Sequence, residues 1–166
     1  MAIQIKVRGD LKELDKLIKR LALIDEFVQT EADNIIRKDR KILIDQNRAQ
    51  MKETGTDGIG DNLEYQRIRK SPVRGAYTEQ YAKYKEKRGG TTAYVDLYLS
   101  GKFHKSIELF QLGIGEWKFT STDEKYNFLI ENYGENILGV NDEFLDRYSD
   151  TMEDKLNIKV DKYLNV

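Results

Sequence analysis

The sequence predicts an α+β fold: long N-terminal helices and a C-terminal helix packed on a small antiparallel β-sheet. Three observations carry this. Apolar residues recur at helical spacing from Leu11 to Ala49. Alternating residues around Ile107 and around Trp117 flank a Gly113-Ile114-Gly115 turn, which is the pattern of a hairpin. Asn141 then opens a last run with Phe144 and Leu145 on one face. The 166 residues suit one domain, 1–166. A chain of that size buries roughly 70% of its unfolded surface.

Taken in order, Ile3, Ile5 and Val7 alternate with Gln4, Lys6 and Arg8, the pattern of a half-buried strand that Gly9 ends. Asp10 with Glu13 forms a capping box, and Leu11, Leu14, Leu17, Ile18 and Leu21 line one helical face. Unbroken from Asp10 to Glu53, that helix would be about 66 Å long at 1.5 Å per residue, too long for this domain. A break is therefore expected near Ala22–Asp25, with Asp25 the second N-cap. The second helix runs about 28 residues until Gly55 stops it. Residues 54–76 are Gly-rich, basic and poor in apolar side chains, and are expected to be irregular and mobile. Tyr77, Tyr81 and Tyr84 share one face of a short helix that ends at Gly89-Gly90. Val95–Leu99 reads as a strand or a helical turn. His104–Gln111 reads as a strand with Ile107 and Leu109 inward and His104 at the surface. Trp117 and Phe119 mark the return strand. Asp123 caps a short helix carrying Tyr126, Phe128, Leu129 and Tyr133, which Gly134 closes. The last helix reaches roughly Leu156, and Ile158, Val160 and Leu164 continue it or form a tail.

Composition excludes several classes of function. There is no cysteine, hence no disulfide, thiolate nucleophile or Cys-based metal site. The single histidine, His104, leaves little for imidazole chemistry. No stretch approaches the ~20 apolar residues of a membrane-spanning helix, and the N-terminus lacks the apolar core of a signal peptide. The net charge of −1 hides an uneven distribution. Residues 1–61 carry 12 basic and 12 acidic side chains, residues 62–105 carry 10 and 4, and residues 106–166 carry 6 and 13. Such polarity suits a head-to-tail contact between copies or a charged partner, against the plainer reading of a solvated surface. The basic side is Arg67, Arg69, Lys70 and Arg74; the acidic side is Asp142, Glu143, Asp146 and Asp150.

Individual motifs give little chemistry. Ser100-Gly101-Lys102 lacks the upstream glycine of a phosphate-binding loop, and Phe103 stands where a hydroxyl should meet magnesium. Asp57, Asp61 and Asn62 miss the spacing of a calcium loop and read as a turn. The carboxylates at the start of the last helix favour its dipole without any reaction. The four basic residues followed by tyrosines could hold nucleic acid by phosphate contact and stacking; this is the alternative function, not the favoured one. No residue is assigned a catalytic, metal or cofactor role.

One pattern is more specific. Tyr81-x-x-x-Lys85, then Val95-Asp96-Leu97-Tyr98-Leu99-Ser100-Gly101-Lys102-Phe103-x-x-Ser106-Ile107, resembles the signature of tailed-phage tail-completion and minor tail proteins of the virion-morphogenesis type. Tyr133-Gly134-Glu135-Asn136-Ile137-Leu138-Gly139-Val140-Asn141 resembles the turn that leads into their C-terminal helix. The shared positions are Leu99, Ser100, Gly101, Phe103, Ser106, Ile107, Tyr133, Gly134, Ile137 and Gly139. The resemblance covers roughly residues 77–156, and the basic 54–76 segment has no counterpart in it. It implies a non-enzymatic structural protein of the virion, made in the bacterial cytoplasm, acting in tail completion or head–tail joining. Its implied partners are other head–tail or tail proteins and copies of itself in a ring, with no cofactor.

Overall fold

The computed structural model describes residues 11–64, 73–74 and 77–165. The expected strand at Ile3–Val7 and the capping box at Asp10 lie outside the described residues. Two helices open the fold, α1 (Leu11–Ala22) and α2 (Ile24–Ala49). The break falls in the expected window, but Leu23 and not Asp25 takes the N-cap position, without a side-chain cap. One residue suffices because the Leu23 amide still bonds the Arg20 carbonyl and its own carbonyl accepts from Phe27. Asp25 sits in the first turn, where a carboxylate favours the helix dipole. α2 widens into a π-turn at Gln50–Thr54, and Gly55 ends it with φ 69°. That left-handed conformation costs glycine little.

Among the described residues the chain then forms two separate antiparallel ladders, where a single sheet was expected: β1 (Val73–Arg74) with β2 (Tyr77–Thr78), and β3 (Ile107–Gly113) with β4 (Glu116–Ser121). Between them lie α3 (Glu79–Glu86), an irregular stretch through 87–101, and the single turn α4 (Lys102–Lys105). α5 (Tyr126–Tyr133), a short 3-10 turn (Glu135–Ile137) and α6 (Asp142–Leu164) complete the chain. Among the described residues the fold is α+β and mostly helical.

Helix packing follows from side chains on facing stripes. α6 runs antiparallel to α2: Tyr163 stacks on Phe27 at 4.0 Å, Lys159 pairs with Glu31, and Lys155 lies 2.6 Å from Asp39. Asn141 caps α6 by accepting from the Phe144 amide at 3.0 Å, as its position before the apolar run predicts. The helix continues unbroken to Leu164, so Ile158 and Val160 belong to it. The hairpin is anchored by Asp33, a buried carboxylate of α2. It accepts from the Trp117 indole at 2.8 Å, the Gln111 amide at 2.7 Å and the Gly115 backbone amide at 3.1 Å. β3 and β4 pair Leu109 with Phe119 and Ile107 with Ser121.

Two cores result. Met51, Leu63, Tyr77, Ala82, Val95, Phe103, Ile107 and Ile137 form the larger. Leu43, Leu109 and Val140 form the smaller, between α2, the hairpin and the start of α6. Of the 54–76 segment expected to be mobile, residues 54–64 are irregular but tied down. Leu63 lies in the larger core, and the Gly58 amide donates to the Asn136 carbonyl at 2.6 Å. A Cβ on Gly58 would stand 2.8 Å from the Gly139 backbone, so the two glycines let these loops touch. Residues 65–72, 75 and 76 lie outside the described residues.

Candidate functional site

The polar centre of the molecule was not foreseen. Lys85, on the inner face of α3, is 1% exposed, and its ammonium pairs with the Asp96 carboxylate, itself buried. Lys85 also donates to the Tyr77 hydroxyl at 2.8 Å. Asp96 accepts from the Tyr77 hydroxyl at 3.2 Å and from the Tyr98 amide at 2.9 Å. The Asp96 carbonyl accepts from Nε2 of His104 at 2.9 Å. β2, α3, the 94–99 stretch and α4 are thereby tied to one point. Burial raises the Tyr77 hydroxyl pKa far above its ordinary value, and the Asp96 charge adds to that. Burial lowers the pKa of His104, so its ring stays neutral. Each of these groups is hydrogen-bonded to another, so the cluster acts as a lock between the four segments.

His104 corrects the sequence reading: it is 4% exposed and sits in a helical turn, not at the surface of a strand. Gly101, at φ 73°, starts that turn, and Arg48 of α2 holds its end by donating to the carbonyls of His104 at 2.6 Å and Lys105 at 3.3 Å. The strand begins only at Ile107. The stretch Val95–Leu99 is neither strand nor helical turn. Asp57, weighed as a metal ligand, spends its carboxylate on the amides of Ile59 and Asp61, both at 3.0 Å, as a turn does.

Above the lock lies a half-open cleft of about 250 Å³, lined by Lys52, Lys85, Arg88, Gly90, Tyr94 and Tyr98 among others. The Lys52 ammonium lies over the Tyr98 ring at 5.2 Å, and the Arg88 guanidinium over Tyr84 at 4.1 Å. Among the described residues no carboxylate pairs with either. The cleft thus carries two rim cations held on aromatic faces, above a floor whose charges are already matched.

The interaction residues expected from the sequence fall into two groups. Arg67, Arg69 and Lys70 lie outside the described residues, and Arg74 is placed on β1 by its backbone alone. Asp142, Glu143, Asp146 and Asp150 are all exposed on α6 and share its outer face; among the described residues only Glu143 of the four forms an ion pair, with Arg147 at 3.8 Å. The signature positions converge. Phe103, Ile107 and Ile137 enter the larger core, and Tyr133 packs against it. Leu99 lines the cleft, and the Ser100 hydroxyl accepts from the Lys102 amide at 3.4 Å. Ser106 meets the Ser121 hydroxyl at 2.6 Å, joining α4 to β4. Gly134 closes α5, and Gly139 provides the close approach to Gly58.

Lys52, Arg88 and the Lys85–Asp96 pair were missed. The signal available was the Tyr81-x-x-x-Lys85…Asp96 spacing, which carried the resemblance without disclosing burial. Compared with known proteins, the chain matches no family model, no curated protein and no solved structure.

Proposed function

We propose that this chain is a non-enzymatic structural protein of a tailed phage that acts in tail completion or head–tail joining through protein–protein contacts in a ring. One observation supports the reading above the others. The two segments that carry the resemblance, 95–107 and 133–141, are far apart in sequence and meet in one core through Phe103, Ile107 and Ile137. Most signature residues have a structural task in or beside that core, as expected for positions that define a fold and not a reaction. The polar cluster beside them ties four segments together, which suits a scaffold. The chain offers its charge on surfaces, and that suits assembly.

The test is genetic. In a phage carrying this gene, deletion should yield filled heads and separate or unstable tails under the electron microscope, with joined particles restored by supplying the protein in trans. Normal numbers of infectious, joined particles without it would overturn the proposal.

A further inference from the structure

Among the described residues, two surfaces of opposite sign have no ion-pair partner inside one copy. The first is the cleft rim. Lys52 and Arg88 sit over Tyr98 and Tyr84, which fixes their direction without neutralising them. The second is the outer face of α6. Asp142, Asp146, Asp150 and Glu153 lie within about 80° of one another around a helix of 3.6 residues per turn. All four are exposed, and among the described residues no ion pair engages them. The inner face of the same helix, by contrast, turns Lys155 and Lys159 toward Asp39 and Glu31. The helix is therefore charge-segregated along these two faces: Lys155 and Lys159 are spent on α2, and Asp142, Asp146, Asp150 and Glu153 face outward.

We infer that the acidic face of α6 in one copy docks against the Lys52–Arg88 cleft of the next. The size of the cleft favours this occupant. At about 250 Å³ it falls below the roughly 300–1,000 Å³ typical of small-molecule sites, and suits the end of a side chain. The sign selects a carboxylate. The charge favours a head-to-tail contact, because a two-fold axis through either surface alone would set like charge on like. Such contacts repeat from copy to copy and close into a ring where the rotation permits. The inference rests on the assembly reading above in taking a second copy as the occupant.

Sedimentation velocity of the full chain, at millimolar protein and at ~20 mM and ~500 mM salt, tests it. Self-association is expected at low salt and should be lost at high salt. Lys52→Gln with Arg88→Gln should weaken it about tenfold or more, as should Asp146→Asn with Asp150→Asn. All four positions are surface-exposed, so circular dichroism should show both double variants folded. An equimolar mixture of the two should form one-to-one pairs and nothing larger, because only one intact cleft and one intact acidic face remain to meet. A wild-type chain that stays monomeric at low salt would overturn the inference. So would association that neither double variant weakens, or a mixture that associates no better than its components. Binding of a short DNA oligonucleotide that the Lys52→Gln, Arg88→Gln chain loses would assign the cleft to phosphates and overturn it too. A monomeric protein still required for joined particles would overturn this contact and leave the proposed function standing. The opposite pair of results would do the reverse.

Discussion

Lys85 shows how a single residue can be invisible in sequence and central in the fold. It stands among Lys83, Lys87 and Arg88, all solvated, and nothing in its type sets it apart. What buries it is Asp96, eleven residues on and across the Gly89-Gly90 turn, together with the Tyr77 hydroxyl. Gly90 covers its stem so closely that an added Cβ would stand 2.7 Å from the Lys85 Cγ. Taking one partner from a buried pair leaves an uncompensated charge, whereas replacing both with apolar groups can be nearly neutral. Lys85→Met should therefore cost about 3–5 kcal/mol in urea denaturation. Lys85→Met with Asp96→Leu should cost clearly less than the two single changes added together. Additive losses would mean that the two charges do not act as a pair.

Among elements, those governed by local pattern were legible and those governed by a distant partner were not. The hairpin turn, the short helix closed by Gly134 and the Asn141 cap all follow from residues within a few positions of one another, whereas the α1–α2 break follows from the length of the helical run. His104 and Lys105 read as the start of a strand, and end the α4 turn instead, because Arg48, more than fifty residues earlier, supplies the donors that close it. The anchoring of the hairpin is of the same kind. Asp33 lies in a polar stretch of α2, and its role appears only when Gln111, Gly115 and Trp117 fold back on it. Asp33→Ala would leave these donors without their acceptor, at a cost of about 1–3 kcal/mol for a buried group. Hydrogen exchange should show the effect locally. Amides of β3 and β4 should lose protection while the middle of α2 retains most of its own, since α6 still packs along it. Equal loss along α2 and the hairpin would mean that Asp33 supports the whole fold and not one attachment.

For the whole molecule, the fold class and the charge asymmetry were legible because composition and periodicity determine both. Part of the acidic half, Asp142, Asp146, Asp150 and Glu153, proved to share one helix face. The buried polar centre was not legible, because burial depends on packing between segments. That packing also sets the pH response. His104 has its pKa lowered below the ordinary 6.5 by burial, so its contribution is complete above 6.5 and is lost as pH falls toward its folded value. Glu31 has its pKa lowered below 4.5 by its bond to Lys159, which places a second acid loss below that value. Tyr77 and Tyr148 have theirs raised above 10.0, each chiefly by burial, so their contribution is present below pH 10.0 and lost above it. Melting temperature should therefore form a plateau between about pH 6.5 and 10, with the first acid shoulder owed to the histidine. One proton taken up on unfolding gives a slope of at most about 1.4 kcal/mol per pH unit. His104→Gln retains an N–H donor for the Asp96 carbonyl and cannot be protonated in this range. Thermal melts of that variant should lose the shoulder just below pH 6.5 and keep both the fall below 4.5 and the alkaline limit. A shoulder that persists unchanged would show that another group titrates there and that the buried ring does not set the acid side of the plateau.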